Sequence, residues 1–148
     1  MKQPISLCLK KEKKWDLLAQ VVKPQSNRAI YMSTFRDLKI WQKAMKLVTK
    51  IYAKTGYFPK EEVYGLTSQI KRSAISVPSN IAEGYGRKGK KDYLKFLNIS
   101  ISSLFELQTQ LEIANNLKFL TDKDFKEVYE DSREIERMLS SFIRKIAE

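Results

Sequence analysis

The sequence has no histidine and only one cysteine, Cys8. Without histidine, neither a Ser-His-Asp nor a Cys-His nucleophile can be assembled, and the usual zinc ligand sets are out of reach. One thiol cannot close an internal disulfide, which suits a reducing cytoplasm. Long apolar runs are also missing: nothing approaches the ~20 residues that a membrane span needs. The short run from Ile5 to Leu9 leads into KKEKK and does not form a signal-peptide core. These absences lead us to expect a soluble, cytoplasmic protein that is not an enzyme, has no cofactor or metal, and has no membrane partner.

Acidic residues are scarce too, with 17 Asp and Glu against 28 Lys and Arg, a formal charge of +11. A surface so biased attracts polyanions, either nucleic acid or an acidic protein. The 148 residues make one domain, and 43% hydrophobic with 30% charged residues is a normal folding balance. Residues 1–31 hold seven basic and two acidic residues and no sustained period, so residues 1–33 read as a poorly ordered basic arm ahead of a domain over 34–148.

Gly84-Tyr-Gly-Arg-Lys-Gly89 spells G-x-G-x-x-G. That pattern cradles a pyrophosphate only when a strand leads into it and a helix leaves it. Here a helical pattern precedes the glycines, and no stretch alternates as a βαβ unit requires. The expected role is a helix end at Gly84 followed by a flexible turn.

Four helices are predicted. The first opens at Thr34 with Asp37 three residues on, the spacing of a capping box. Leu38, Trp41, Met45, Val48 and Tyr52 share one sector of it, and Ile40, Ala44, Leu47 and Ile51 the next. Gly56 and Pro59 end it. The second is expected from Glu61-Glu62 to about Glu83, with an apolar stripe through Val63, Leu66, Ile70, Ala74, Val77 and Ile81 and a kink at Pro78. The third runs from about Lys91 to Asn116, with serines at 100, 102 and 103 that allow a neighbouring backbone to approach. Thr121 caps the fourth, in which Phe125, Val128, Ser132, Ile135, Leu139, Phe142 and Ile146 repeat at intervals of 3 and 4. Joined by short loops, these make an all-α, up-and-down antiparallel four-helix bundle.

Three sets of residues are candidates for function. Arg36, Lys39, Lys43, Lys46, Lys50 and Lys54 form a basic stripe along the first helix, and Arg87, Lys88, Lys90, Lys91 and Lys95 crowd the turn between the second and third. Both sets suit phosphate contacts. Gln69, Arg72, Ser76, Asn80 and Glu83 make a polar strip on the second helix, read as a hydrogen-bond network or an interface. The first helix is apolar around nearly half its circumference, more than a lone bundle needs, so a homo-oligomer is expected.

FRDLKIWQKAM, FPKEEVYGLTSQIKRSAISVPSNIAEGYGR and SLFELQTQLEIA resemble a bacterial four-helix-bundle family encoded in intervening sequences of large-subunit ribosomal RNA genes. The accessory variability protein of diversity-generating retroelements is similar to that family. The resemblance spans about Phe35 to Ile146 and is most specific over Gln69 to Arg87. It implies a ring-like homopentamer with a basic surface and, for the retroelement relatives, binding of nucleic acid and of a reverse transcriptase. The expected function is a non-enzymatic oligomer that holds RNA or DNA through phosphates. The alternative is a protein–protein adaptor for an acidic partner or a reverse transcriptase.

Overall fold

The computed structural model describes residues 34–148, so the arm expected over residues 1–33 lies outside the described residues. Four helices follow one another: α1 (Lys39–Thr55), α2 (Leu66–Gly86), α3 (Lys90–Asn116) and α4 (Asp122–Ala147). No strand occurs among the described residues. α1 packs on α2, α2 on α3, α3 on α4 and α4 back on α1, which closes an up-and-down four-helix bundle in which the backbones of diagonal helices stay apart. The starts of α1 and α3 and the ends of α2 and α4 therefore share one end of the bundle.

The helix boundaries show which sequence signals act. Thr34 forms its capping box, its hydroxyl accepting from the Arg36 and Asp37 end of the turn while Asp37 accepts from Thr34 N–H at 3.2 Å. That box closes only a short 3-10 turn, Phe35–Asp37; Leu38 is then extended, and α1 proper begins at Lys39. Glu61 and Glu62 likewise belong to a separate 3-10 turn, Lys60–Glu62, and do not start α2. Glu62 reaches forward instead, and its carboxylate accepts the Leu66 N–H at 2.9 Å, satisfying one exposed donor of the helix start. Val63 consequently lies in the connecting turn, 50% exposed, and not on the apolar stripe. Thr121 caps α4 as expected, accepting from Asp124 N–H at 3.1 Å.

The core follows the predicted stripes. Ile40, Ala44, Leu47 and Ile51 of α1 are buried, as are Ile70, Ala74, Val77 and Ile81 of α2 and the α4 series from Val128 to Ile146. Each large aliphatic side chain among them contributes about 1.5–3 kcal/mol through burial. α2 runs without interruption through Pro78, which is itself buried.

α2 and α3 share the most extensive contact in the bundle. Small side chains make it possible. The buried Ser100 hydroxyl donates to Val77 C=O across the interface at 2.9 Å, and the Ser73 hydroxyl donates to the Gln110 side-chain oxygen at 2.7 Å. Gly84 does not end α2 but lies inside its last turn, fully packed. A Cβ there would stand 2.9 Å from Phe96 Cβ and 3.0 Å from the Tyr93 ring. Its glycine therefore serves close helix approach, and burial beside it pushes the Tyr93 phenol well above its ordinary value. Gly84→Ala is expected to destabilise the bundle by about 1–2 kcal/mol, because overpacking outweighs the gain in helix propensity. A urea midpoint that falls with an unchanged slope would show this; an unchanged or higher midpoint would contradict it.

Candidate nucleic-acid interface

The basic stripe of α1 meets an acidic stripe of α4. Asp124, Glu127, Asp131 and Glu134 recur at intervals of 3, 4 and 3, and the antiparallel packing of the two helices brings them beside the lysines in reverse order. Lys43 Nζ lies 2.9 Å from Glu134 Oε2. Lys50 Nζ bridges Asp131 Oδ2 at 2.7 Å and Glu127 Oε1 at 2.9 Å. Lys54 Nζ bridges Asp124 Oδ1 at 2.6 Å and Glu127 Oε2 at 2.9 Å. Hydrogen bonds to Asp131, then Glu127, raise the Lys50 ammonium above its ordinary pKa, and those to Asp124, then Glu127, do the same for Lys54. Reciprocally, the Lys54 bond, then that of Thr121, holds the Asp124 carboxyl below its ordinary value, and Lys50, then Lys54, does so for Glu127.

Three of the six stripe cations are thus committed to intramolecular carboxylates. Lys43, Lys50 and Lys54 form a ladder that ties the first helix to the last, so a phosphate at these positions would compete with the α4 carboxylates. Of the others, Lys39 donates to Gln42 Oε1 at 3.4 Å, Arg36 lies 4.5 Å over the Phe35 ring, and Lys46 is exposed with no ion pair among the described residues.

The turn cations have a different setting. Arg87, Lys88, Lys90, Lys91 and Lys95 sit where α2 ends and α3 begins, at the end of the bundle that also holds Arg36, Lys39 and the last turn of α4. Lys90 Nζ donates to Ala147 C=O at 3.1 Å, joining the turn directly to the end of α4. Arg144 and Lys145 come with that last turn, and sequence reasoning missed them. Within residues 34–39, 83–95 and 144–148 this end carries nine basic side chains against four acidic ones. Arg87 is paired with Glu83 and stacks 4.6 Å over Phe96. Lys88, Lys91, Lys95, Arg144 and Lys145 are exposed and make no ion pair among the described residues. Lys90 and Lys91 occupy the first two positions of α3, where the helix dipole disfavours cations by about 0.3–1 kcal/mol each. Helix stability does not account for lysines there.

The polar strip of α2 divides. Asn80 Nδ2 donates to the Ser76 carbonyl at 2.8 Å and to Ser76 Oγ at 2.9 Å, and Ser76 Oγ lies 2.8 Å from Ser103 Oγ. Ser103 already donates to Ile99 C=O at 2.9 Å, so the hydroxyl of Ser76 must be the donor between the two serines. This is an inter-helix network pinning α2 to α3. Glu83 belongs instead with Arg87, while Gln69 and Arg72 are exposed and outside it.

Two apolar surfaces are left uncovered among the described residues. On α1, Trp41 and Val48 are half-buried and Met45 is 41% exposed; on α3, Phe105 and Ile113 are 46% and 43% exposed. α1 and α3 are diagonal in the bundle, so these surfaces lie on different sides.

A closed four-helix bundle with one strongly basic end and no helix among the described residues long and apolar enough to cross a membrane is the class that these features define. Within it, residues 36–141 match the 23S rRNA-intervening sequence protein family, and the chain belongs to that family. It is also similar in fold to a solved structure from Bacteroides thetaiotaomicron, described as a protein with unknown function from the S23 ribosomal protein family. The TM-score is 0.67 at 24% identity, covering 71% of this chain and 98% of the other. None of the curated proteins matches the chain.

Proposed function

We propose that the protein is a non-enzymatic, homo-oligomeric bundle that binds nucleic acid through its basic end, by phosphate contacts without base reading. The observation behind this is the convergence of Lys88, Lys91, Lys95, Arg144 and Lys145, without an ion pair among the described residues, on the end where α2 meets α3. Cations spread over the α2–α3 junction and the last turn of α4 suit the regular charge of a strand.

Assembly multiplies that charge. The α1 surface around Met45 and the α3 surface around Phe105 and Ile113 are unlike each other and face different ways, which suits a head-to-tail contact between copies. Contacts of that kind close into rings when the rotation between copies divides a full turn, and the family resemblance implies five copies. Light scattering should give a mass several times that of the chain, and Met45→Glu should reduce it to one chain; a monomeric parent protein would end the assembly proposal.

Binding is tested by anisotropy with labelled single-stranded RNA and DNA at rising salt. Saturable binding that weakens steeply from about 50 to 200 mM salt is expected. No binding at the lower salt would contradict the proposal.

A further inference from the structure

The opposite end of the bundle carries a second candidate site, independent of the basic end. A cleft of about 430 Å³ opens between the last turn of α1, the loop after it and the first turns of α2. Tyr52, Val63 and Ile75 supply apolar wall, and Lys60, Lys71 and Arg72 supply charge; no acidic side chain lines it. Lys71 Nζ lies 4.8 Å from the centre of the Tyr52 ring. In the adjoining turn Glu61 is exposed and Glu62 is committed to Leu66 N–H at 2.9 Å.

Thr67 marks the cleft as unfinished. It lines the space, is only 6% exposed, and its hydroxyl has no hydrogen-bond partner among the described residues. Other buried hydroxyls of the bundle find an acceptor: Thr55 donates to Ile51 C=O at 2.8 Å and Ser100 to Val77 C=O at 2.9 Å. Thr67 is the second residue of α2, so no α-helical turn precedes it to receive its proton. A buried hydroxyl without a partner is costly unless something else supplies one.

We propose that this cleft binds a nucleoside phosphate, either free or as the phosphorylated end of a strand. Lys60, Lys71 and Arg72 take the phosphate, Tyr52 and Ile75 supply apolar wall for the base, and Thr67 completes a hydrogen bond to the ligand. Tyr57 and Tyr64, in the loop that forms one wall, are 91% and 97% exposed. Rings so exposed contribute nothing to the fold and are available to stack on a following base.

Calorimetry on the full chain would use AMP, adenosine, inorganic phosphate and phosphotyrosine as separate ligands, with 5′-phosphorylated and 5′-hydroxyl oligonucleotides as a second series. AMP should bind about tenfold or more tighter than each of the other three small ligands, because only AMP offers both base and phosphate. A preference for the 5′-phosphorylated strand over AMP assigns the site to strand ends, and the reverse order assigns it to free nucleotide. The double variant Lys71→Ala/Arg72→Ala and, separately, Thr67→Val should each weaken AMP, with circular dichroism confirming that both remain folded. A Lys88→Glu/Lys91→Glu/Lys95→Glu protein should bind AMP unchanged, which separates this site from the basic end. Binding of phosphate or phosphotyrosine as tight as AMP, or AMP affinity indifferent to the cleft variants, would overturn the proposal.

Discussion

Exchanging Lys88, Lys91 and Lys95 for glutamate is expected to weaken nucleic-acid binding by about a hundredfold or more near 0.1 M salt while leaving thermal unfolding nearly unchanged. The three side chains are exposed and make no ion pair among the described residues, so their removal breaks nothing in the fold. Lys91 lies against the α3 dipole, and reversing its charge there adds a small stabilisation. Affinity and stability should therefore move independently, which is what distinguishes a binding surface from a solvated face. If affinity is retained, the basic end is not the contact; if the melting temperature falls sharply, these lysines have a structural role.

The opposite dissociation is expected on α1. Exchanging Lys43, Lys50 and Lys54 for glutamate should lower the melting temperature by roughly 5–10 °C, because each reversed charge faces a carboxylate of α4 and an attraction becomes a repulsion. Nucleic-acid affinity per folded protein should fall only modestly, through net charge. Restoring opposite charges with Asp124→Lys, Glu127→Lys, Asp131→Lys and Glu134→Lys should recover most of the lost stability, and failure of that swap would show that the ladder does not join the helices. The parent ladder also has a defined pH range. Asp124 and Glu127 have lowered pKa values, so their stabilisation is present above about pH 4 and is lost as pH falls through the lowered values. Lys50 and Lys54 have raised values, so theirs is present below about pH 10 and is lost as pH rises through them. Melting temperature should accordingly be level between roughly pH 5 and 10 and fall on both sides, whereas in the reversed variant mild acid should be stabilising, since protonation relieves the repulsion.

Much of the fold was legible in the sequence because it is written locally. The Thr121 cap and the repeat from Val128 to Ile146 specify α4 without reference to anything else, and the buried half of α1 follows from its period. What local pattern misplaces are features decided by a neighbour. Gly84 looks like a helix end until Phe96 and Tyr93 are brought against it. Glu61 and Glu62 look like a first turn because acids favour that position, whereas here the Glu62 carboxylate caps a helix that begins four residues later. The partners of the basic stripe are likewise set by a neighbour. Periodicity shows that Lys43, Lys50 and Lys54 share a face but says nothing about what stands opposite. The acids at 124, 127, 131 and 134 were visible at matching intervals, and pairing them required only that an up-and-down bundle closes its last helix on its first. The same closure places Arg144 and Lys145 beside the 87–95 turn. Thr67 had no sequence signal, since an unanswered hydroxyl is a property of packing alone.

The dependence of affinity on salt, measured side by side for the parent protein and for Lys88→Gln/Lys91→Gln/Lys95→Gln, tests the account most directly. Loss of three phosphate contacts should make the log–log slope shallower by about two to three. Equal slopes would mean that nucleic acid, if bound at all, is held somewhere other than the basic end.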